Sequence, residues 1–322
     1  MAAERTGFDQ LWVSNDLLLR SAPVLIGALS ARTSRIQLGI GIMNPYTVHP
    51  TELAMLAATA QEVSGGRFLL GIGAGAPEFL GWAGIERRRP MGTTRQSVAA
   101  LRKLLGHTDV DHQDLPAWWS DSAFLRFDVS APVLVYVGAM GPQMRRLSGA
   151  VADGALPLLY PPEQYAAARD DVRAGCREAG RDPAAFDLPA CIWVSVGAER
   201  PARRALAEKL AYYGPSISEV QLAAAGLTPQ QFEPAARYAQ VGEMEKAVEL
   251  IDDQMLTLGV AGSPDQVLER CRGLVALGAE HISFGPPLGP DVHTAIELLG
   301  RDVIPDLRAT CSAGHTGGEA RP

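Results

Sequence analysis

Short apolar runs alternate along the chain with longer segments in which apolar residues recur at helical spacing. Short β-rich runs predict strands and a period near 3.6 residues predicts helices. The predicted strands are Gln10–Ser14, Ile36–Ile42, Phe68–Gly73, Val133–Val137, Ala155–Leu159, Ala190–Val196 and His281–Phe284. The predicted helices include Ala22–Ala31, Thr51–Val63, Thr93–Leu105, Pro142–Val151, Pro162–Glu178 and Pro264–Leu277. This alternation favours a parallel sheet, because each helix carries the chain back across it.

Several predicted strands end in glycine or proline, in the runs LGIGIMNP, LGIGAGAP, VYVGAMGP and ISFGPPLGP. Small residues at the carboxyl ends of strands are typical of a (β/α)8 barrel, where the loops approach a ligand. A doubly wound sheet would instead carry GxGxxG with an acid about twenty residues further on. Gly71-Ile-Gly73-Ala-Gly75 lacks that spacing. We therefore predict an α/β fold of the (β/α)8 TIM-barrel type.

The composition is that of an ordinary globular protein, with 322 residues, 47% apolar and 20% charged. A formal net charge of −7 gives no net attraction for nucleic acid or an anionic membrane. No apolar run approaches the ~20 residues of a membrane helix, and the start lacks an export signal. The four cysteines form no CxxC pair, and the histidines show no metal-ligand spacing. We expect a cytoplasmic protein without a metal site.

We expect one domain over residues 1–308 and a disordered tail over residues 309–322. Residues 198–259 read as a helical excursion between two late strands. The chain contains no GxSxG elbow, no P-loop and no HExxH, so acyl transfer and metal-dependent hydrolysis are disfavoured.

Four glycine-rich strand ends occur in a characteristic order: Leu38–Pro50, Leu70–Gly75, Val137–Met144 and Phe284–Pro290. Together with Gly138–Leu156 and Gly262–Pro290, they resemble the luciferase-like superfamily, and within it the coenzyme F420-dependent methylenetetrahydromethanopterin reductases. The resemblance runs from Gly7 to about Leu307. It implies a TIM-type barrel that binds a flavin or 5-deazaflavin at its carboxyl face.

The resemblance also implies where the cofactor binds. A non-prolyl cis peptide at Gly41–Ile42 would form a bulge behind its central ring, and a loop after the fifth family strand would hold its phosphate. Gly141 followed by Pro142 predicts a helix N-cap, whose N–H groups face such a phosphate. The cofactor-binding residues implied are Gly41, Ile42, Asn44, Gly73, Gly75, Gly138, Ala139, Met140 and Gly141.

The chain departs from the family pattern where proton transfer is expected. The family's first strand, with its carboxylate, has no counterpart, so the predicted barrel lacks that strand. Asn15 and Asp16 stand in place of Asp-His, and Ala76 replaces an acid that Glu78 follows two residues later. Glu78, Asp16 and Asn15 are therefore the catalytic candidates.

Four further polar residues have mainly structural interpretations. Arg145 and Arg146 are possible aids to phosphate binding, with solvated surface the expected position of at least one. Asp153 is expected to cap backbone, and His49 to be a structural loop residue.

The predicted function is hydride transfer between C5 of coenzyme F420 and a C=N or C=C bond. The substrate would be a methylenetetrahydromethanopterin-like pterin or a biosynthetic imine or enone, and the protein a homo-oligomer, a dimer or a tetramer. Two alternatives remain open at this point. One is an FMN-dependent monooxygenase, and the other is a degenerate barrel that only binds a ligand or partner.

Overall fold

The computed structural model describes residues 1–16, 18–108, 110–159 and 162–315. Eight strands occur in these ranges: β1 Gln10–Ser14, β2 Gln37–Met43, β3 Phe68–Ile72, β4 Leu134–Gly138, β5 Gly154–Leu156, β6 Ala190–Val196, β7 Gly259–Gly262 and β8 Ile282–Leu288. The helices up to β6 are α1 Ala2–Arg5, α2 Ala22–Ser30, α3 Pro50–Ser64, α4 Pro77–Trp82, α5 Pro90–Leu104, α6 Pro142–Val151 and α7 Pro162–Glu178. After β6 follow α8 Glu199–Tyr213, α9 Glu219–Ala224, α10 Pro229–Gln240, α11 Met244–Glu249, α12 Asp253–Leu256, α13 Pro264–Ala276, α14 Val292–Leu298 and α15 Ile304–His315.

The chain divides into two compact units. The first contains residues 9–156 and 170–187, together with Met1, and the second contains residues 2–8, 157–169 and the chain from Leu188 onward. Each unit is built around one parallel sheet.

The first unit contains a five-stranded sheet in the order β1-β2-β3-β4-β5, with every pair parallel. All residues of β3 are buried, which explains why its sequence is a continuous apolar run. Helices α3, α4, α5 and α6 each begin at a proline. Proline is favoured there because the first helical N–H has no intrahelical partner to lose.

Aromatic side chains pack between the strands of the first sheet. The rings of Trp12 and Tyr136 lie 5.0 Å apart, edge to face, and the Tyr136 hydroxyl donates to Oδ2 of Asp187 at 2.8 Å. Burial and the nearby Asp187 carboxylate raise the pKa of Tyr136 well above its usual range. A Cβ on Gly39 or on Gly154 would collide with one of these rings, so both glycines provide space for aromatic packing.

The second unit has a three-stranded parallel sheet in which β6 lies between β7 and β8. A buried apolar cluster that includes Trp193, Leu206 and Phe232 packs β6 against α8 and α10. The predicted helical excursion is present, since α8 to α12 all lie between β6 and β7.

Three sequence predictions need correction. Seven strands were predicted, and the structure adds an eighth, β7, whose Gly-Val-Ala-Gly sequence is too short and too small to signal a strand. Helix α4 was also missed. Helix α15 continues to His315, so the predicted tail is helical at its start; residues 316–322 lie outside the described residues.

Candidate active site at the ends of the parallel strands

The end of β2 is irregular, because its register against β3 shifts between Ile40 and Met43. The Gly41–Ile42 peptide bond within this stretch is cis, as the sequence predicted. The adjacent end of β1 supports it: the backbone N–H of Asn15 donates to the Gly41 carbonyl at 3.3 Å. The Asn15 side chain accepts from the N–H of Ala22 at the start of α2, and its Nδ2 lies 3.5 Å from the Ile42 carbonyl oxygen. Asn15 therefore positions β2 relative to α2.

The Ile42 side chain lies beside glycines of β3, of the turn directly after β3 and of β4. A Cβ built on Gly71 would lie 3.1 Å from Ile42 Cγ2, and one on Gly73 would lie 3.1 Å from Ile42 Cδ1. A Cβ on Gly138 would lie 3.5 Å from Ile42 Cγ2. The resemblance to the family implies that Gly73 and Gly138 bind the cofactor. In the structure, the space beside Gly73 and Gly138 holds Ile42.

Asn44 joins the loops that follow β2 and β3. It is buried, donates from Nδ2 to the Ala74 carbonyl at 3.1 Å and accepts from the N–H of Tyr46 at 2.9 Å. A Cβ on Gly75, whose φ is +67°, would lie 2.7 Å from the Asn44 Nδ2. The structure therefore gives Asn44 a role in holding the two loops together, and Gly75 a role in accommodating Asn44.

The connection from β4 to α6 ends in an open helix N-terminus. Gly141 is the N-cap and has no side chain to accept from the first turn, which contains no acidic residue. A Cβ on Gly141 would meet nothing within 4 Å. The first N–H groups of a helix have no intrahelical acceptor and carry its positive dipole end. This end of α6 suits a phosphate.

One of the N–H groups predicted to bind phosphate already has a partner. Ala139 is fully buried, and its N–H donates to the Leu156 carbonyl at 3.2 Å. In this structure the Ala139 N–H is thus paired with β5, and cofactor binding by Ala139 stays a prediction. The donors that suit this role belong to Gly141 and the first turn of α6.

Arg145 holds the loop between β4 and α6 in place. Its buried guanidinium donates to the Met140 carbonyl at 2.6 Å and pairs with Asp171 at 2.7 Å. Arg146 is exposed and pairs with Glu178 at the surface. At least one of Arg145 and Arg146 was expected on the solvated surface, and Arg146 is the one that lies there.

A cavity of about 710 Å³ lies between α2, α3 and the outer face of β2. Asn15 and Asp16 line it, together with the apolar side chains of Ile40 and Met43. The glycines of β3 and β4 do not line this cavity, so it is separate from the surface formed by Ile42 and the phosphate loop. Asp16 is half-buried at this cavity.

The sequence profile of the luciferase-like monooxygenase family matches residues 1–281, most of the chain. The chain belongs to this family. It is 31% identical to the 5,10-methylenetetrahydromethanopterin reductase of Archaeoglobus fulgidus over 313 residues, which cover 95% of this chain and 93% of that protein. It is 30% identical to the F420-dependent glucose-6-phosphate dehydrogenase of Nakamurella multipartita, with 98% and 92% covered.

The fold matches that of the coenzyme F420-dependent tetrahydromethanopterin reductase from Methanopyrus kandleri with a TM-score of 0.85 and 27% identity. The match covers 95% of this chain and 93% of that structure. The resemblance and the fold class predicted from the sequence are thereby confirmed. The absence of the family's first strand stays a prediction.

Glu78, the first catalytic candidate of this luciferase-like chain, lies in the first turn of α4, three residues after Gly75. Its side chain is exposed. Within the described part of the chain, the Glu78 carboxylate forms no ion pair.

His49 and Asp153 have structural roles in the luciferase-like fold, as expected. His49 is the N-cap of α3, where its Nδ1 accepts from the N–H of Thr51 at 3.3 Å. Asp153 accepts from the N–H of Val135 at 2.9 Å and pairs with Arg102 and Arg181.

Three residues near the strand ends were not predicted to belong to the site. Tyr46, Arg87 and Arg88 form hydrogen bonds in the loops after β2 and β3. The available signal was the run Glu-Arg-Arg-Arg-Pro before a predicted helix. Among the described residues, no helix has the length and hydropathy to cross a membrane, and no group of three or more His, Cys, Asp or Glu could hold a metal ion.

Proposed function

We propose that this luciferase-like chain is an F420-dependent oxidoreductase that transfers hydride between the deazaflavin C5 and a C=N or C=C bond of a small molecule. The observation that carries the proposal is that the Ile42 side chain packs beside Gly138, where the loop from β4 to α6 begins. One surface therefore offers an apolar support for a planar ring and an open helix N-terminus for a phosphate. The identity of the cofactor is inferred from the names of the relatives. Two of these relatives are named as methanopterin reductases.

Each part of this surface has a separate task. The first turn of α6 binds the cofactor phosphate, while Arg145 holds the loop through the Met140 carbonyl. Ile42 supports one face of the ring system, and Asn15 and Asn44 keep the ends of β1, β2 and β3 in place. The cofactor itself supplies the two-electron hydride chemistry when bound. The chain contributes orientation, which lowers the entropic part of the barrier.

A proton must accompany hydride transfer to an imine or enone, and we propose that Glu78 delivers it. Glu78 follows the β3 loop that carries Gly73 and Gly75, and its carboxylate is exposed to solvent. Exposure allows it to reload from water between turnovers. A substrate that covers α4 would shield this carboxyl group from bulk water during proton transfer. Asp16 is the alternative donor, and it lines the cavity outside β2 instead.

The function is tested by mixing the purified protein with reduced F420 and methylenetetrahydromethanopterin without oxygen, and following the reappearance of oxidised F420 absorbance. Glucose 6-phosphate with oxidised F420 is the second assay, and oxygen uptake with reduced FMN is the third. The proposal predicts turnover in an F420 assay. Oxygen uptake with FMN, together with no F420 turnover, would establish the monooxygenase alternative.

The proton donor is tested by comparing Glu78→Gln with Asp16→Asn. We expect Glu78→Gln to lower the turnover rate roughly 10²-fold, the size typical of losing a general acid, with F420 affinity nearly unchanged. Asp16→Asn should retain the wild-type rate. Normal turnover in Glu78→Gln with a loss in Asp16→Asn would move the role to Asp16, and two active variants would show that water supplies the proton.

A further inference from the structure

Three consecutive arginines, Arg87, Arg88 and Arg89, connect α4 to α5 in this acidic chain. All three side chains are exposed. Glu86 precedes them and pairs with Arg88 at 2.5 Å. The segment therefore carries a local positive charge that its own glutamate does not balance.

Hydrogen bonds hold this segment against the loops of the candidate site. Arg87 donates from Nη1 to the Gly75 carbonyl at 2.8 Å. The Tyr46 hydroxyl donates to the Arg88 carbonyl at 2.5 Å, and the Tyr46 N–H donates to Asn44. The arginines thus lie at the edge of the loops after β2 and β3, a fixed position in the first unit.

Arg89 is placed where a cation is unfavourable by itself. Its guanidinium turns back over the first turn of α5, with Nη2 3.6 Å from where a Cβ on Gly92 would lie. The start of a helix repels a positive charge, and the first turn of α5 has no acidic residue. Arg89 forms no ion pair within the described ranges. An anion bound at Arg89 would remove this imbalance.

We propose that Arg87 and Arg89 bind the anionic tail of the deazaflavin cofactor, the carboxylates that extend beyond its phosphate. This proposal rests on the proposed function. The phosphate itself belongs to the N-terminus of α6, so the arginines are available for a second anionic group. A guanidinium suits this task because its planar donors match a carboxylate in pairs. A carboxylate or phosphate on the substrate has the same chemistry, and the test separates the two sources.

The test uses three deazaflavins: the riboflavin-like form without phosphate, the form with phosphate but no glutamate, and F420 with several glutamates. Dissociation constants are measured by fluorescence quenching at low and high salt. We expect the glutamylated form to bind about tenfold more tightly than the form without glutamate, consistent with two exposed charge contacts. This advantage should shrink at high salt, because exposed charges are screened.

The double variant Arg87→Gln/Arg89→Gln should lose the tail advantage, that is, the tighter binding of F420 with glutamates than of the form without them. It should bind the form without glutamate within about twofold of wild type. Arg89→Gln alone leaves the Arg87 hydrogen bond to Gly75 in place and should lose part of the advantage. The matched control is Arg173→Gln, an exposed arginine on α7 that changes net charge equally and should keep the full advantage.

Equal binding of the forms with and without glutamate by the wild type would overturn the proposal. A tail advantage that survives in the double variant would also overturn it, as would a rise in substrate KM with unchanged cofactor binding, which would assign the arginines to the substrate. Failure of all three deazaflavins to bind would overturn the proposed function itself.

Discussion

The Ile42 side chain restricts which residues fit at nearby positions in β3, in the turn after β3 and in β4. Its side chain packs against the positions where Gly71, Gly73 and Gly138 lack a Cβ. Gly71 is the most restricted of the three, because a Cβ there would also lie 2.5 Å from the Ile40 carbonyl oxygen and 2.7 Å from Leu156 Cδ1. The Ile40 carbonyl belongs to the backbone and cannot move aside, whereas the end of a flexible side chain can.

Gly71→Ala should therefore lower the free energy of unfolding by ~1–3 kcal/mol, the usual cost of overpacking a core. The control is Gly81→Ala, in exposed α4, where a Cβ meets nothing within 4 Å and alanine favours the helix. Urea unfolding of both variants tests the comparison. A Gly71→Ala protein as stable as the wild type would show that β2 and β3 are not packed as closely as described.

Tyr136 provides a pH-dependent test of the aromatic packing. Burial and Asp187 raise its pKa, so folding favours the neutral phenol. Its contribution to stability is complete below the unfolded pKa of about 10 and is lost as the pH rises above that value. We expect Tyr136→Phe to cost ~1–3 kcal/mol at pH 8, because Asp187 loses its donor.

Above pH 10 the stability difference between wild type and Tyr136→Phe should narrow, as tyrosine ionises in the unfolded wild-type chain. Urea unfolding at pH 8 and pH 10.5 measures this difference. A difference that stays constant or widens would contradict the assignment.

At the scale of single residues, the sequence predicted local backbone features better than it predicted what each residue contacts. The cis bond at Gly41–Ile42 and the N-cap at Gly141 follow the prediction. The sequence did not indicate that the Ala139 N–H pairs with the Leu156 carbonyl or that Ile42 fills the space beside Gly73, because both depend on which group another strand places there. The local sequence around Gly73 or Ala139 does not indicate which distant group lies there.

At the scale of elements, the N-terminus of α6 is the feature on which cofactor binding depends. Gly141 has an extended backbone, with φ −92° and ψ 161°, which any residue adopts, and open space beside its Cα. A substitution there can alter charge at the candidate phosphate site without disturbing the fold.

Gly141→Asp should raise the stability of the protein by up to about 1 kcal/mol, since aspartate is a good N-cap. It should also weaken F420 binding at least about tenfold at low salt, because its carboxylate repels the phosphate. Gly141→Ser is the matched control, with a similar cap and no charge. Thermal unfolding and F420 titration measure the two effects, and unchanged F420 affinity in Gly141→Asp would remove this loop from the site.

Elements with strong local signals were predicted, and those without them were missed. Proline at the first helical position marks α3 and α6, and an unbroken apolar run marks β3. The six-residue helix α4 and the four-residue strand β7 are too short to show a period. Strand β7 exists because its backbone pairs with the buried β6.

At the scale of the whole molecule, all the candidate site residues belong to the first unit, and so do Arg87 and Arg89. The site therefore depends on the order of five parallel strands in one sheet. Alternation of strands and helices predicted such a sheet, and the glycine-rich strand ends indicated the family. The division into two units had no counterpart in the sequence, because no linker composition separates them.

The most direct test of the central claim is the ratio of the dissociation constants for reduced F420 and reduced FMN, measured by titration of the same preparation without oxygen. Both ligands carry a phosphate, so the phosphate loop alone does not distinguish them. The account predicts that reduced F420 binds far more tightly than reduced FMN. Tighter binding of reduced FMN would contradict the assignment of this chain as a deazaflavin enzyme.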